Sequence, residues 1–269
     1  MKVFVIHKNT LIIYGLAIIL ICGVLTFNWD TTISVFSALS LKRDLPIYYV
    51  DRQDKAISIS FDAAWGNEDT QDLINILEQY KVKTTFFVVG GWVDKYPESV
   101  KALSDAGHEI MNHSNTHPHM TQLSVEKMKE EIKKCDDKIE AITGKRPFLF
   151  RPPYGDYNDK VVQACREMGH YTIQWDVDSL DWKELGVDAI VERVTKRVKS
   201  GSIVLFHNAA KYTPAALPKI LDTLQKEGYK IVPISELIYR DNYHIDHTGK
   251  QIPNNKDKTS VDKHIKVDS

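Results

Sequence analysis

The chain has 269 residues, with 35 Lys and Arg against 36 Asp and Glu and a formal net charge of −1. That length holds one large domain with appendages. The balanced charge, with no long basic run in the body, excludes nucleic acid as a partner.

The first thirty residues differ in kind from the rest. No charged side chain occurs from Asn9 to Trp29, and Leu11 to Phe27 is almost wholly apolar. This is about the length that crosses a bilayer core as a helix. Lys2 and Lys8 precede it and Asp30 follows, which places the N-terminus in the cytoplasm. A cleaved signal peptide begins the same way, but the nearest candidate site, Ala38-Leu39-Ser40, follows more than ten residues after the apolar run. Residues 1–29 are therefore expected to be a cytoplasmic stub and transmembrane signal anchor. The protein is expected at the cell membrane, single-pass, with its body extracytoplasmic. Residues 30–54 read as a linker, ending in an extended piece at Pro46-Ile47-Tyr48-Tyr49-Val50.

From Ala56 strands and helices alternate. The pattern predicts strands at 56–61, 84–89, 109–112, 147–150, 171–175, 202–206 and 230–234. Helices are predicted at 69–80, 96–106, 124–142, 159–168, 187–198 and 217–227. Units of roughly 25 residues, strand then helix, imply a parallel sheet. Seven or eight such strands fit a closed or nearly closed (β/α) barrel over 55–240 better than an open doubly wound sheet. No glycine-rich phosphate fingerprint follows the first strand. Residues 241–269 are polar and charged, a composition expected to stay disordered. Cys22 lies in the anchor. Cys135 and Cys165 fit either a pair or two buried free thiols.

In a barrel, the C-terminal ends of the strands converge on one mouth. Asp62, His113, Arg151, Asp178 or Asp181, and His207 all fall there. Each has a plainer reading alone: a strand-end Asp as a helix cap, Arg151-Pro152-Pro153 as a rigid turn, the histidines as surface residues. Their convergence favours metal-assisted hydrolysis. His113 and His117, four apart, suit one divalent cation. Asp62 is placed as general base, with Arg151 fixing it through a two-pronged hydrogen bond. His207 would protonate the leaving group, oriented by Asp181. Tyr154 and its backbone N–H would support the oxyanion, and Trp182, Leu205 and Trp65 would wall a small apolar pocket. Ser114 and Thr116 position the loop by backbone hydrogen bonds. A rival reading, a glycosidase built on Asp176, Asp178 and Asp181, needs those carboxylates to face the mouth together.

With those residues laid out, the chain resembles the polysaccharide deacetylases of carbohydrate esterase family 4, the NodB-homology family. The similarity spans roughly residues 50–240 and touches all five family motifs: Ser60-Phe61-Asp62-Ala63, His113-Ser114-Asn115-Thr116-His117, Arg151-Pro152-Pro153-Tyr154-Gly155, Asp178-Ser179-Leu180-Asp181-Trp182 and Leu205-Phe206-His207. The anchor and the forms of the first and fourth motifs look most like the spore-associated PdaB-type group. The resemblance implies a distorted (β/α) barrel, a divalent metal, usually zinc, and removal of acetyl groups from N-acetylated cell-wall sugars such as those of peptidoglycan. It also marks a departure. The family's first motif usually carries a second aspartate as metal ligand, and Ala63 stands there, as the PdaB-type group also lacks it. Two expectations follow: a membrane-anchored peptidoglycan deacetylase, or a catalytically impaired glycan-binding protein of the same fold. Glu68, Asp69 or His119 are the candidates to replace the missing ligand.

Overall fold

The structure is a computed structural model that describes residues 43–254. The expected anchor and the last part of the expected tail lie outside them. Among the described residues no helix is long and apolar enough to cross a membrane.

Strand β1 (Tyr49–Val50) precedes β2 (Ala56–Ala63), the central strand, whose eight residues are all buried. Its alternation sorts two environments, because successive side chains point to opposite faces. Ile57, Ile59, Phe61 and Ala63 join a large apolar cluster with Leu73, Leu77, Leu217 and Leu221 from the covering helices. Ser58, Ser60 and Asp62 take the other face, where Ser58 and Ser60 donate to the carbonyls of Val232 (2.6 Å) and Val204 (2.8 Å).

The remaining strands of the main sheet are β3 (Thr85–Val88), β4 (Glu109–Asn112), β5 (Leu149–Phe150), β6 (Tyr171–Thr172), β7 (Val177–Asp178), β8 (Ile203–His207) and β9 (Lys230–Ile231). They lie in the order β6-β5-β4-β3-β2-β8-β7, all parallel, with β9 beside the start of β2. The two edges, β6 and β7, are consecutive in sequence. Four intervening residues at about 3.5 Å each cannot span a flat sheet, so the sheet must curl. The expected barrel is present as a curled parallel α/β sheet with a seam.

That seam is filled by the segment expected to be linker. Ile47 donates to the Thr172 carbonyl (2.9 Å) and accepts from Gln174 N (2.8 Å), while Val50 donates to Gly201 (2.9 Å). Gly201 sits at φ +84°, and a Cβ there would stand 1.7 Å from the Val50 oxygen, so only glycine fits. Ile47 and Val50 are both buried in a second apolar cluster. The folded body therefore begins near Asp44, ahead of the expected boundary at 55.

The expected disordered tail needs the same correction over its first part. Strands β10 (Tyr243–Ile245) and β11 (Lys250–Pro253) form a small sheet, with β11 parallel to β1. Gln251 is fully buried and exchanges hydrogen bonds with the Tyr239 backbone. Polar composition concealed this sheet, because its contacts are made by backbone and amide groups.

Other differences are local. Strand β7 lies beyond the strand expected at 171–175, and a short helix, Gly90–Lys95, fills the gap between the strand expected at 84–89 and the helix expected at 96–106. The helix expected from Leu217 begins at Thr213, since Pro214 at its start costs no backbone hydrogen bond. Cys135 and Cys165 are buried free thiols, whose pKa values burial pushes up, that of Cys165 to about 12.

Ile47→Ala is expected to lower the free energy of unfolding by about 2–4 kcal/mol, as for other fully buried aliphatic side chains, measured by denaturant titration. A loss under 0.5 kcal/mol would show that residues 44–50 are not integral to the barrel.

Candidate active site

The strand register brings the site together. Asp62 on β2 is paired with His207 on β8, and Asn112 at the end of β4 is paired with Phe150, so His113 and Arg151 leave adjacent strands side by side. Arg151 is fully buried over the Phe87 ring, 4.2 Å from its centroid. It donates from Nη1 to Asp62 Oδ1 (2.7 Å) and from Nη2 to Ser60 Oγ (2.8 Å). The expected two-pronged bond to Asp62 is therefore single-pronged. Ser60, two residues upstream on the same strand face, takes the second donor. Asp62 Oδ2 is left facing His113 Nε2 at 3.5 Å.

His113 Nδ1 lies 2.7 Å from the Arg151 carbonyl. A carbonyl only accepts, so Nδ1 carries the proton and Nε2 presents its lone pair. That lone pair faces His117 Nε2 at 3.2 Å. On the other side, His207 Nδ1 is 2.8 Å from Asp181 Oδ1, which leaves Nε2 for the cavity. Asp181 is fully buried and also accepts from His207 N, Trp182 N and Thr213 Oγ1.

Asp62, His113, His117 and His207 line a cavity of about 540 Å³ together with Ala64, Trp65, Tyr154, Trp175, Asp178, Trp182 and Leu205. Tyr154 is exposed, at φ +60°, with its ring stacked on His119 at 4.3 Å. Trp65 and Trp182 are about half exposed, and Trp65 stacks on the His207 ring at 5.8 Å. Seven of the nine residues expected at the site line this cavity, and Arg151 and Asp181 lie buried behind it, bonded to Asp62 and His207.

A profile of the family described as Polysaccharide deacetylase matches residues 49–173. The chain is 40% identical over 194 residues to the peptidoglycan-N-acetylglucosamine deacetylase of Bacillus cereus, covering 70% of this chain and 91% of that one. The chain belongs to the polysaccharide deacetylase family. It is also 31% identical to the Bacillus subtilis peptidoglycan-N-acetylmuramic acid deacetylase PdaA, over 71% of this chain and 74% of that one. A solved structure of a CE4 family pseudoenzyme from Bacillus anthracis superposes with a TM-score of 0.69 at 36% identity, covering 71% and 68% of the two chains. Polysaccharide deacetylases are hydrolases, and both active and inactive relatives share this fold.

The pocket biases the protons of the groups that line it or stand behind it. Burial alone would raise the Asp62 pKa, but the adjacent Arg151 cation holds the carboxyl below its ordinary value. Burial lowers His113, and burial with the neighbouring His113 takes His117 down to about 4. Both imidazoles are neutral at neutral pH, the form that ligates metal. Burial disfavours the His207 imidazolium, yet the hydrogen bond and charge of Asp181, with Asp62, outweigh it and raise the pKa.

The donor set fits a divalent cation held by two side chains. Nitrogen ligands at about 2.05 Å on a tetrahedral ion stand about 3.3 Å apart, close to the 3.2 Å found here. A third ligand is missing: among the described residues no group of three His, Cys, Asp or Glu is arranged to hold a metal. Ala63 lies on the outer face of β2, and Glu68, Asp69 and His119 do not line the cavity. Asp69 instead accepts from Ala209 N, Glu68 from Asn67 N, and His119 faces Asp156. Of the three carboxylates offered for a glycosidase, only Asp178 lines the cavity; Asp176 accepts from Ser202 Oγ and Ile203 N, and Asp181 is spent on His207. That reading fails.

Ser114 Oγ accepts from His117 N, as expected, whereas Thr116 bonds the Glu131 carboxylate rather than backbone. Sequence reasoning missed Ser60 and Thr213 as partners, and Trp175 as wall. For Ser60 a signal existed, since residues two apart on a strand share a face.

With its folded pKa above the ordinary 6.5, His207 adds stability that is fully present below pH 6.5 and lost as pH rises through the folded value. An NMR titration of its ring is expected to show a midpoint above 6.5, falling in Asp181→Asn. A midpoint below 6.5 in the parent protein would contradict the pairing with Asp181.

Proposed function

We propose that the chain is a deacetylase that hydrolyses N-acetyl groups of peptidoglycan amino sugars at the outer side of the cell membrane, where residues 1–29 anchor it, during spore cortex formation or maintenance. One observation carries the catalytic part: on adjacent strands, Asp62, held below its ordinary pKa by Arg151, and His207, held above its own by Asp181, face the same cavity as His113 and His117. The substrate is supported by the named activities of the Bacillus relatives, and the anchor and sporulation role by the sequence resemblance alone.

A divalent ion, zinc by family resemblance, held by His113 and His117 would polarise the acetyl carbonyl and make a water easier to deprotonate. Asp62, pinned through Oδ1 by Arg151, keeps Oδ2 free to take that water's proton. His207 holds its Nδ1 proton on Asp181 and delivers its Nε2 proton to the departing amine. The Tyr154 backbone N–H supports the developing oxyanion. Trp182 and Leu205 wall the space for the acetyl methyl, with Leu205 buried and Trp182 closing from solvent.

A second reading has its own observation. Ala63 removes one anionic ligand, and an inactive family member shares the fold; the chain would then bind glycan without cleaving it.

Acetate released from peptidoglycan by the full chain separates the two. The deacetylase predicts turnover lost on chelation and restored by a divalent ion, with Asp62→Asn or His207→Ala lowering kcat about 10²–10⁴-fold. Absent turnover with any divalent ion, alongside glycan affinity that survives His207→Ala, would establish the binder instead. Ala63→Asp buries a carboxylate in the apolar cluster on the face of β2 turned from the cavity, so the variant is expected to have a lower Tm than the parent and no larger gain on adding zinc. A larger zinc response in the variant would place position 63 within the ion's reach.

A further inference from the structure

The loop carrying His113 and His117 is built on one helix, Val125–Thr143. Three side chains of that helix and one of its carbonyls reach the loop. Glu131 accepts from Thr116 through both carboxylate oxygens (2.7 and 2.9 Å), and Lys138 donates to Asn115 Oδ1 (2.7 Å). Deeper down, the Asn112 amide donates to the Ile132 carbonyl (2.8 Å) and to Asp136 Oδ1 (2.7 Å). Its own oxygen accepts from Ser114 N at 2.7 Å. Both amide hydrogens and the oxygen of Asn112 are thus engaged, and the amide has one orientation.

Two strained residues depend on that anchor. Ser114 and His117 sit at φ +68° and +61°, conformations that side chains other than glycine enter only when held. The loop is also clamped from the far side, where Gly90 N donates to the Ser114 carbonyl. A Cβ at Gly90 would lie 2.5 Å from Asn115 Oδ1.

Asp136 is completely buried in mid-helix, where a carboxylate is costly unless its lone pairs are used. They are used: besides Asn112, its oxygens face His170 Nε2 (3.1 Å) and Arg146 Nη2 (3.4 Å). None of these three partners touches the cavity. We propose that Asp136 is a positioning residue for the two-imidazole site, acting through Asn112 to fix the turn that sets the His113–His117 spacing. Its consequence for metal rests on the deacetylase reading above; its effect on the loop does not.

The test uses the full chain in three variants. Asp136→Ala removes the acceptor, Asp136→Asn restores one, and Ile139→Val perturbs the apolar side of the same helix as a stability control. Amide hydrogen exchange at Ser114 and His117 is measured without metal, and zinc affinity by titration. Asp136→Ala is expected to speed exchange at both amides about tenfold beyond Ile139→Val and to weaken zinc about 10–100-fold, with Asp136→Asn recovering most of both. If Asp136→Ala does not fold, Asp136→Ser, whose shorter hydroxyl does not reach the Asn112 amide, is compared with Ile139→Val instead: equal exchange at both amides overturns the proposal. So does Asp136→Ala exchange at the two amides that is no faster than in Ile139→Val, or that Asp136→Asn does not restore. A parent protein that binds no zinc would sink the metal reading, while the exchange comparison still settles the role of Asp136.

Discussion

Arg151 is tied at both of its ends, and the site depends on that. Its backbone oxygen fixes the His113 ring, and its guanidinium holds Asp62 and Ser60. One residue therefore sets the tautomer of His113 and favours the charged form of Asp62. Removing either member of a buried ion pair strands the other, at a cost of about 3–5 kcal/mol. The cation's position over the Phe87 ring adds a surface that no water can replace.

A second carboxylate–histidine pair stands opposite, with the signs of the bias reversed. Asp181 accepts four hydrogen bonds, one of them from His207 Nδ1, and the pairing favours the proton on His207. Arg151 keeps the proton off Asp62. Two like-sized groups on neighbouring strands are thus pushed apart in proton affinity, the arrangement that lets one act as base and the other as acid. Among the described residues no third His, Cys, Asp or Glu joins the two imidazoles. Two neutral imidazoles alone would leave a divalent ion's dehydration cost without offsetting ligand charge.

Much of this was legible in the sequence, for reasons that differ by residue. Asp62, His113, Arg151 and His207 each end an apolar run, and parallel topology sends such ends to one rim. The strand–helix alternation was legible because its helices carry clear apolar stripes. Three things were not. Two-residue strands such as β7 carry no period to detect. Segments 44–50 and 243–253 join the fold through backbone pairing and a buried glutamine, which look like linker and tail by composition. The second donor of Arg151 went to Ser60 because a guanidinium fork satisfies whichever acceptors the strand face presents, and a motif does not say which.

The seam has a mechanical consequence. Strand β1 lies between the barrel and β11, pairing in parallel with the latter, and Ile47 clasps the chain at Ile173. A pull on the polypeptide ahead of Asp44 would load these contacts along the strand axis, in shear, where several hydrogen bonds must yield together rather than one at a time. The same segment that closes the barrel would thus bear such a load before the strands that carry the candidate site.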